Sequence, residues 1–420
     1  MKQILQNLKS GETLLADVPA MAPRAGYLTI RTSTSLVSAG TERMVTDFAK
    51  ASMIQKARQQ PDKVKAVLDK ARTDGVLATY EAVTAKLDQP IPLGYCNAGR
   101  VLAVGAGVEG FQVGDRVVSN GHHAEVVQVP QNLCAKIPDG VTDDQAAFTV
   151  IASIGLQGIR LIQPTLGEVV AVSGLGLIGL IAVQLLAANG CRVLGFDPNP
   201  DRVAEARALG AEAHALADGV DPVEIATEAT GGRGVDAVLI TAATSSNALI
   251  KQAANMCRMR GRVVLTGVIG LELDRADFYN KEISFQVSCS YGPGRYDPNY
   301  EDRGQDYPIG FVRWTEQRNF EAILALMQAG RLKTDQLITH RAPFADAPQA
   351  YDKLSDATQI GILLDYASDQ PDKTLLAQAV TVVADAARPG PRSLGLIGAG
   401  GFTQAVMLPA IKGAQGTIAA

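Results

Sequence analysis

One segment near the middle of the chain restricts the possible folds more than any other: VVAVSGLGLIGLIAVQLLAANGCRVLGFD, residues 169–197. It contains an apolar strand, the series Gly174-x-Gly176-x-x-Gly179, a helical stretch, a second strand and then Asp197. In a β-α-β unit such glycines allow a tight turn, the approach of a diphosphate and close helix–strand packing. The carboxylate accepts hydrogen bonds from a ribose diol and repels a 2′-phosphate. The segment therefore predicts a Rossmann unit that binds NAD rather than NADP.

The expected cofactor site extends beyond the glycines to the ends of later strands. Arg202 could contact the adenosine end, although an exposed helix arginine is the alternative. The predicted cofactor-binding residues are Gly174, Leu175, Gly176, Leu177, Ile178, Gly179, Asp197, Arg202, Thr241, Gly267 and Val268.

The pattern of the chain changes along its length. Residues 1–150 contain short strands separated by Gly/Pro turns, interrupted by a helical stretch at 44–88. Residues 151–290 alternate strands and helices, which is typical of a doubly wound parallel sheet, so the fold class is α/β. A Gly/Pro/Tyr-rich stretch follows, and residues 367–392 are predicted to be a linker.

Composition excludes several classes of function. The net charge of −4 gives no electrostatic basis for binding nucleic acid. No apolar run is long enough to span a bilayer, so no membrane association is expected. The five cysteines are widely separated, which fits reduced thiols in the cytoplasm and argues against a zinc lobe built from clustered thiolates.

Several further motifs occur in a fixed order around the fingerprint. They are Ser38–Glu42, Pro92–Gly99, Gly114–Val117, Thr230–Asp236, Gly261–Val264 and Leu337–Arg341. Through these motifs, residues 1–366 resemble the medium-chain dehydrogenase/reductase family. That resemblance implies a GroES-like β domain from residues 1–150 and 291–366, with the nicotinamide in the cleft beside the Rossmann domain at 151–290.

The resemblance fails at the zinc site. Where zinc-using members of the family carry ligands, this chain has Ala39, Tyr95 and, near the third position, Val150. Methyl and aliphatic side chains cannot ligate zinc. We therefore expect no metal. A rearranged site built from Cys96 with His122 and His123 is the alternative.

Without zinc, protein groups must stabilise the oxygen that gains charge during hydride transfer. Thr41 matches the hydroxyl that relays the substrate proton in alcohol dehydrogenases. The phenol of Tyr95 should face the vacated metal position and could donate a proton. The alternatives are that Tyr95 only fills volume and that Thr41 only caps a turn. Glu42 is expected to orient its neighbours.

Two elaborations are expected to cover the cleft. The helical insertion at 44–88 has a mild excess of Lys and Arg and is predicted to form a roof over it. Tyr291, Arg295 and Tyr296 lie in an aromatic loop that suits a sugar or nucleotide ring, and they are predicted to form a substrate lid. Packing within the loop is an equal alternative.

The C-terminus repeats a glycine pattern, Gly398-x-Gly400-Gly401, after a short apolar stretch. Residues 393–420 resemble the start of a glucose–fructose oxidoreductase or inositol dehydrogenase Rossmann domain, cut short. A fragment of this size cannot bury a core, so it is expected to bind nothing. Such fusions accompany surface-polysaccharide genes, which makes a sugar-derived substrate plausible.

The leading hypothesis is a zinc-independent, NAD(H)-dependent oxidoreductase that acts on a hydroxyl or carbonyl of a sugar-like small molecule. A quinone or enone reductase is the alternative among enzymes, although such enzymes commonly prefer NADPH. A non-catalytic NAD-binding scaffold or redox sensor is the alternative from another class. The family resemblance also implies a homodimer.

Overall fold

Two β-rich bodies of different design share one hydrophobic core in this structure. The structure is a computed structural model that describes residues 1–217, 219–367, 369–380, 398, 400 and 402–414. Residues from strands of both bodies and from the helix that joins them belong to that core.

The N-terminal body is built mainly from strands, as the short alternating segments predict. Its strands are β1 (Lys2–Gln6), β2 (Thr13–Asp17), β3 (Tyr27–Ser38), β4 (Ile91–Pro92), β5 (Asn97–Val104), β6 (Arg116–Ser119), β7 (Val126–Pro130) and β8 (Cys134–Lys136). Its helices are α1 (Thr41–Lys50), α2 (Met53–Gln59), α3 (Pro61–Asp74), α4 (Val76–Leu87) and α5 (Asp143–Ala146).

The central body alternates strand and helix throughout. Its elements are α6 (Thr149–Ile162), β9 (Val169–Ser173), α7 (Leu177–Ala188), β10 (Arg192–Asp197), α8 (Pro200–Ala208), β11 (Glu212–Ala215), α9 (Pro222–Ala229), β12 (Val235–Ile240), α10 (Ala248–Met256), β13 (Cys257–Leu265), α11 (Arg275–Tyr279) and β14 (Ser284–Val287).

The C-terminal part returns to the first body. Its elements are α12 (Glu316–Gln328), β15 (Ile338–Pro343), α13 (Ala347–Asp352), β16 (Gly361–Asp365) and α14 (Asp372–Leu375). A further helix, α15 (Leu408–Gly413), follows near the end of the described residues. Strand β16 pairs antiparallel with β3, and β15 pairs parallel with β16. The β domain therefore combines residues from both sides of the central body, as the family resemblance implies.

The central sheet is parallel, with strand order β11-β10-β9-β12-β13-β14. Its inner strands carry continuous apolar runs because helices cover both faces. The chain reverses direction along the sheet between β9 and β12. In open α/β sheets, ligands bind at the carboxyl ends of the strands at such a switch point.

The sheet of the β domain runs β15-β16-β3-β5-β6-β8, and β7 also pairs with β3. Strand β3 is long and mostly buried, and it leads directly into the turn at Ser38–Gly40 that precedes α1. The sheet therefore holds this turn beside the carboxyl edge of the central sheet.

Several predictions concern segments outside these two bodies. In the insertion at 44–88, which is predicted to roof the cleft, Met44 lines the cleft described below, but no described side chain of α2, α3 or α4 does. Residues 372–377 of the predicted linker pack on the β domain, where Arg31 binds Asp372 at 2.6 Å and Leu375 is buried. Residues 381–392 of the linker and 13 of the 28 residues of the 393–420 fragment, including Gly401, lie outside the described residues.

Within the described ranges, no helix combines the length and the hydropathy needed to cross a membrane.

Candidate functional site

A cleft of about 620 Å³ opens where the carboxyl ends of the central strands face the turn before α1. Its residues from the central body include Ser173, Gly174, Gly176, Leu177, Ile178, Asp197, Arg202, Thr241, Gly267 and Val268. Its other wall includes Ser38, Ala39, Gly40, Thr41, Arg43, Met44, Leu354, Asp356, Ala357 and Gln359. Nine of the eleven predicted cofactor residues and Thr41 are in this lining.

The three fingerprint glycines have different roles. Gly174 has φ +98°, and a Cβ on it would lie 2.6 Å from the Ala242 nitrogen. A Cβ on Gly179 would lie 2.0 Å from the Gly174 oxygen, so this glycine permits the close approach of α7 to the turn. A Cβ on Gly176 would meet nothing within 4 Å, because that face of the backbone opens into the cleft. Gly176 therefore leaves room for a ligand, whereas the other two allow the backbone to pack.

Helix α7 begins at Leu177, and its first N–H groups have no acceptor within the helix. Leu177 and Ile178 line the cleft at this end. Free N–H groups and the positive end of the helix dipole favour a phosphate group here. Leu175 and Gly179 are instead structural, since Leu175 is fully buried in the core and neither lines the cleft.

Asp197 ends β10 and lines the cleft. One carboxylate oxygen accepts a hydrogen bond from the Leu175 N–H at 2.7 Å, and the other accepts from the Asn199 N–H at 2.8 Å. These bonds fix the carboxylate, and each oxygen keeps lone-pair capacity for a further donor. The group is therefore oriented to accept hydrogen bonds from a diol.

Arg202 lies in the cleft, contrary to the alternative that it is simply an exposed helix arginine. It donates to the carbonyl oxygens of Ala357 (2.9 Å) and Gln359 (2.5 Å) and so ties α8 to the β domain. Its remaining Nη1 is buried without a partner among the described residues. Burial lowers the pKa of this guanidinium.

Thr241, Gly267 and Val268 form the opposite side of the fingerprint turn. Thr241 donates to the Gly174 oxygen at 2.5 Å, and a Cβ on Gly267 would lie 2.1 Å from the Ala242 oxygen. Val268 is 56% exposed and offers an apolar surface to the cleft.

The two predicted catalytic residues lie close together beside the turn at 38–41. Thr41 starts α1 and lines the cleft. The Tyr95 Oη is buried and makes no hydrogen bond to any described residue. Burial raises the pKa of Tyr95 far above 10, and the adjacent Ser38 and Thr41 hydroxyls oppose that rise. Tyr95 itself is not in the cleft lining, so its unpaired phenol lies just behind Thr41.

The positions at which the family carries zinc ligands do not fit a metal here. Ala39 and Val150 offer no donor atom, and the described residues contain no group of three His, Cys, Asp or Glu side chains placed to hold an ion. The rearranged alternative does not come together, since the His122 Nδ1 bonds to the Gly94 oxygen at 2.8 Å and His123 is fully buried. Burial raises the pKa of the Cys96 thiol well above its usual value.

A buried polar network behind the turn was not predicted. Glu42 accepts hydrogen bonds from the Ser38 N–H (2.9 Å) and from the Tyr351 hydroxyl, and its Oε2 lies 3.1 Å from the His123 Nε2. The His123 Nδ1 lies 2.7 Å from the Ser35 hydroxyl. The expectation that Glu42 orients its neighbours agrees with this geometry. No local sequence pattern predicts that His123 and Tyr351 take part in this network.

The predicted lid residues do not line the cleft. Tyr291 is buried against Phe320 and accepts a hydrogen bond from Asn120. Arg295 pairs with Glu301 at 2.5 Å, while Tyr296 is 71% exposed. These contacts agree with the alternative interpretation of the loop, in which its aromatic residues pack within the loop and against the core below it.

Two protein families match parts of this chain. Residues 70–141 match the family described as alcohol dehydrogenase GroES-like domain, and residues 178–302 match the family described as zinc-binding dehydrogenase. The fold class predicted from the sequence, a GroES-like domain beside a parallel-sheet Rossmann domain, is thereby confirmed.

Among similar proteins, a sorbitol dehydrogenase from Halalkalibacterium halodurans is 25% identical over 66% of this chain and 83% of its own length. A D-guloside 3-dehydrogenase from Escherichia coli is 29% identical over 62% of this chain and 72% of its own. The solved alcohol dehydrogenase TADH from Thermus sp. ATN1 superposes with a TM-score of 0.67 over 87% of this chain and 100% of its own, at 20% identity.

Proposed function

Since its fold and its matches support placing this chain in the medium-chain dehydrogenase/reductase family, we propose that it is a zinc-independent, NAD(H)-dependent oxidoreductase. The observation that carries the proposal is the cleft itself. Open backbone at Gly176, free N–H groups at the start of α7 and an oriented Asp197 line one continuous cavity.

NAD is favoured over NADP by charge. A 2′-phosphate on the adenosine ribose would be placed beside the Asp197 carboxylate, and two like charges at contact distance repel each other. Arg202 does not offset this effect fully, because two of its hydrogen bonds are already used for the carbonyls of Ala357 and Gln359.

When bound, the dinucleotide supplies or accepts the hydride. The chain must then stabilise the oxygen that gains charge as a carbonyl is reduced. Thr41 lines the cleft, and its hydroxyl is adjacent to the buried phenol of Tyr95, which has no hydrogen-bond partner among the described residues. Tyr95 is available as a hydrogen-bond donor, since a phenol is protonated at neutral pH even at its ordinary pKa of about 10 and burial raises the pKa further. We assign proton donation to this pair, with no metal taking part.

The substrate proposed is a hydroxyl or carbonyl group of a polar, sugar-like molecule. Support comes from the polyol and glycoside chemistry in the names of the sorbitol and D-guloside dehydrogenases to which the chain is similar.

The catalytic assignment is tested with Tyr95→Phe and Thr41→Val, assayed by NADH oxidation over a panel of aldoses and ketoses. Losing a positioned proton donor typically lowers kcat by about 10²-fold or more, and the Kd for NADH should not change. Tyr279→Phe is the matched control, because that tyrosine is 64% exposed and outside the cleft. Near-wild-type turnover in both variants would remove the pair from the chemistry.

The same panel separates the alternatives. A quinone or enone reductase would turn over activated alkenes and prefer NADPH. A non-catalytic NAD-binding module would bind NADH and turn over nothing. The absence of metal donors at positions 39 and 150 favours that last reading, whereas the hydroxyl pair beside the cleft argues against it.

A further inference from the structure

A groove of about 410 Å³ lies between α6, α7 and α12 and shares no lining residue with the cofactor cleft. It lies at the C-terminal end of α7, beside Leu185 and Ala188, whereas the cleft lies at the N-terminal end of that helix. At 1.5 Å per residue the two ends are separated by roughly 16 Å. The groove is therefore a separate feature of the molecule.

The wall of this groove carries an indole held between two cations. The Arg160 guanidinium carbon lies 3.4 Å from the centroid of the Trp314 ring, and that of Arg313 lies 3.7 Å from the same centroid. Two guanidinium groups so close to one centroid cannot share a face, so they lie on opposite faces. Cation–π attraction accounts for the arrangement.

The two positive charges lack counter-ions. Within the described ranges, neither Arg160 nor Arg313 has a carboxylate within 4 Å, and the one hydrogen bond of Arg160 is from Nε to the Asn319 oxygen at 2.8 Å. Burial raises the pKa of Glu321, and Arg313 is near enough to oppose that rise. Among the described residues, however, Glu321 forms no ion pair with Arg160 or Arg313. Burial and the charge of Arg313 lower the pKa of Arg160 to about 10.

The rest of the groove is of mixed character, with the aliphatic side chains of Leu156, Ile159, Leu185 and Leu326 and the amides of Gln163 and Asn189 in its lining. Its volume falls in the range of small-molecule sites, which are mostly apolar with a few polar groups that orient the ligand. A guanidinium with free Nη groups is suited to a carboxylate. The site thus has a place for a charged head and a place for an apolar body.

We propose that the groove beside Arg160 and Trp314 binds a small carboxylate with an apolar body, of the medium-chain fatty acid type. The carboxylate of the ligand pairs with the Arg160 guanidinium, and its hydrocarbon chain packs against the leucine and isoleucine side chains of the groove. This site is independent of the cofactor cleft, so its test does not depend on the proposed function.

Trp314 is the only tryptophan of the chain, so its fluorescence reports on this groove directly. The wild-type protein is titrated with octanoate and, separately, with octanol as the neutral match. We expect a saturable change in Trp314 emission with octanoate and at least tenfold weaker binding of octanol. No saturable change, or equal binding of the two probes, would overturn the proposal.

Two variants test the groove in different ways. Arg160→Gln removes the charge, and Ala188→Phe fills the apolar part without touching either arginine. Each should weaken octanoate binding at least tenfold while the Kd for NADH stays at the wild-type value, which shows that the fold is intact. Arg260→Gln is the control, because Arg260 is exposed, does not line the groove and pairs with Glu282 at 2.7 Å. Octanoate binding at wild-type strength in both groove variants would contradict the proposal.

Discussion

The Glu42–His123 contact is the residue-scale feature on which the shape of the catalytic wall depends. Glu42 is 2% exposed and His123 is 0% exposed, so neither side chain can exchange its partner for water. Through the Ser38 N–H, the carboxylate fixes the turn that leads to Thr41. A Cβ on Gly94 would lie 2.5 Å from the His123 ring, so the same ring also packs against the residue before Tyr95.

Replacing His123 by Phe should therefore be strongly destabilising. Breaking a buried pair leaves an uncompensated buried group and typically costs about 3–5 kcal/mol in the free energy of unfolding. Urea unfolding of His123→Phe measures this change. His122→Phe is the matched control, because the neighbouring ring is exposed and makes one bond, to the Gly94 oxygen. Equal loss of stability in the two variants would show that the buried network has no special role.

At the scale of elements, the first turn of α12 contains a carboxyl group in an unusual position. Glu316 is fully buried, and neither carboxyl oxygen has a hydrogen-bond partner among the described residues. Burial, reinforced by the nearby Glu301 charge, raises the pKa of Glu316 to about 9. The side chain is thus protonated at neutral pH in the folded protein, at the point where the long 288–315 loop joins the helix.

This raised pKa predicts how stability depends on pH. Below about pH 4.3 the carboxyl is protonated in both the folded and the unfolded chain. Between that pH and 9 only the unfolded chain releases the proton, so stability falls as pH rises. The wild-type protein should lose free energy of unfolding between pH 5 and pH 8. Glu316→Gln, which is neutral at every pH, should lose about 2–4 kcal/mol less over the same range.

Urea unfolding at those two pH values, for wild type and Glu316→Gln, measures the difference. Glu224→Gln is the control, because Glu224 is exposed on α9. The same pH dependence in wild type and Glu316→Gln would contradict the raised pKa.

Sequence patterns predicted the elements of the central body because buried parallel strands are continuous apolar runs. Strand β9, Val169–Ser173, is the apolar strand that the fingerprint segment predicts. The cofactor side of the cleft could also be predicted from the sequence, since its main residues lie within one local β-α-β segment. Strand β13 was harder to delimit: its first residue, Cys257, pairs with Val235, but the next paired residue is Arg262, opposite Ala237, so an irregularity within β13 interrupts the ladder.

The catalytic wall was less predictable because it depends on distant parts of the chain. Glu42 meets His123 across 81 residues and Tyr351 across 309. No periodicity in a single sequence reports such pairings. The aromatic and arginine content of the 291–296 loop was visible, but composition does not determine on which side of a loop Tyr291 packs.

At the scale of the whole molecule, β14 leaves one edge of the central sheet unpaired within the described chain. The side chain of Val287 on that strand is 54% exposed, and Leu271 and Leu273 nearby are also exposed. An apolar, unprotected edge favours pairing with another copy of the same strand. We therefore expect a homodimer formed through β14.

Light scattering after size-exclusion chromatography tests this expectation. Wild type should have twice the chain mass of 44.2 kDa, and Val287→Lys should shift toward that of one chain. Val113→Lys is the control, because Val113 is 65% exposed but lies in the β domain. A monomeric wild type, or a dimer unaffected by the Val287 change, would refute this mode of assembly.

The central claim, that the cleft binds NAD(H) through bare backbone, is tested most directly at Gly176. Its φ of −69° and ψ of −170° suit any residue, and a side chain there would meet only open cleft. Gly176→Val should therefore keep the wild-type melting temperature while it occupies the space for the diphosphate. Calorimetric titration should show one NADH per wild-type chain, weaker NADPH binding, and at least a hundredfold loss of NADH affinity in the variant. Equal NADH binding by variant and wild type, or no binding by wild type, would contradict the account.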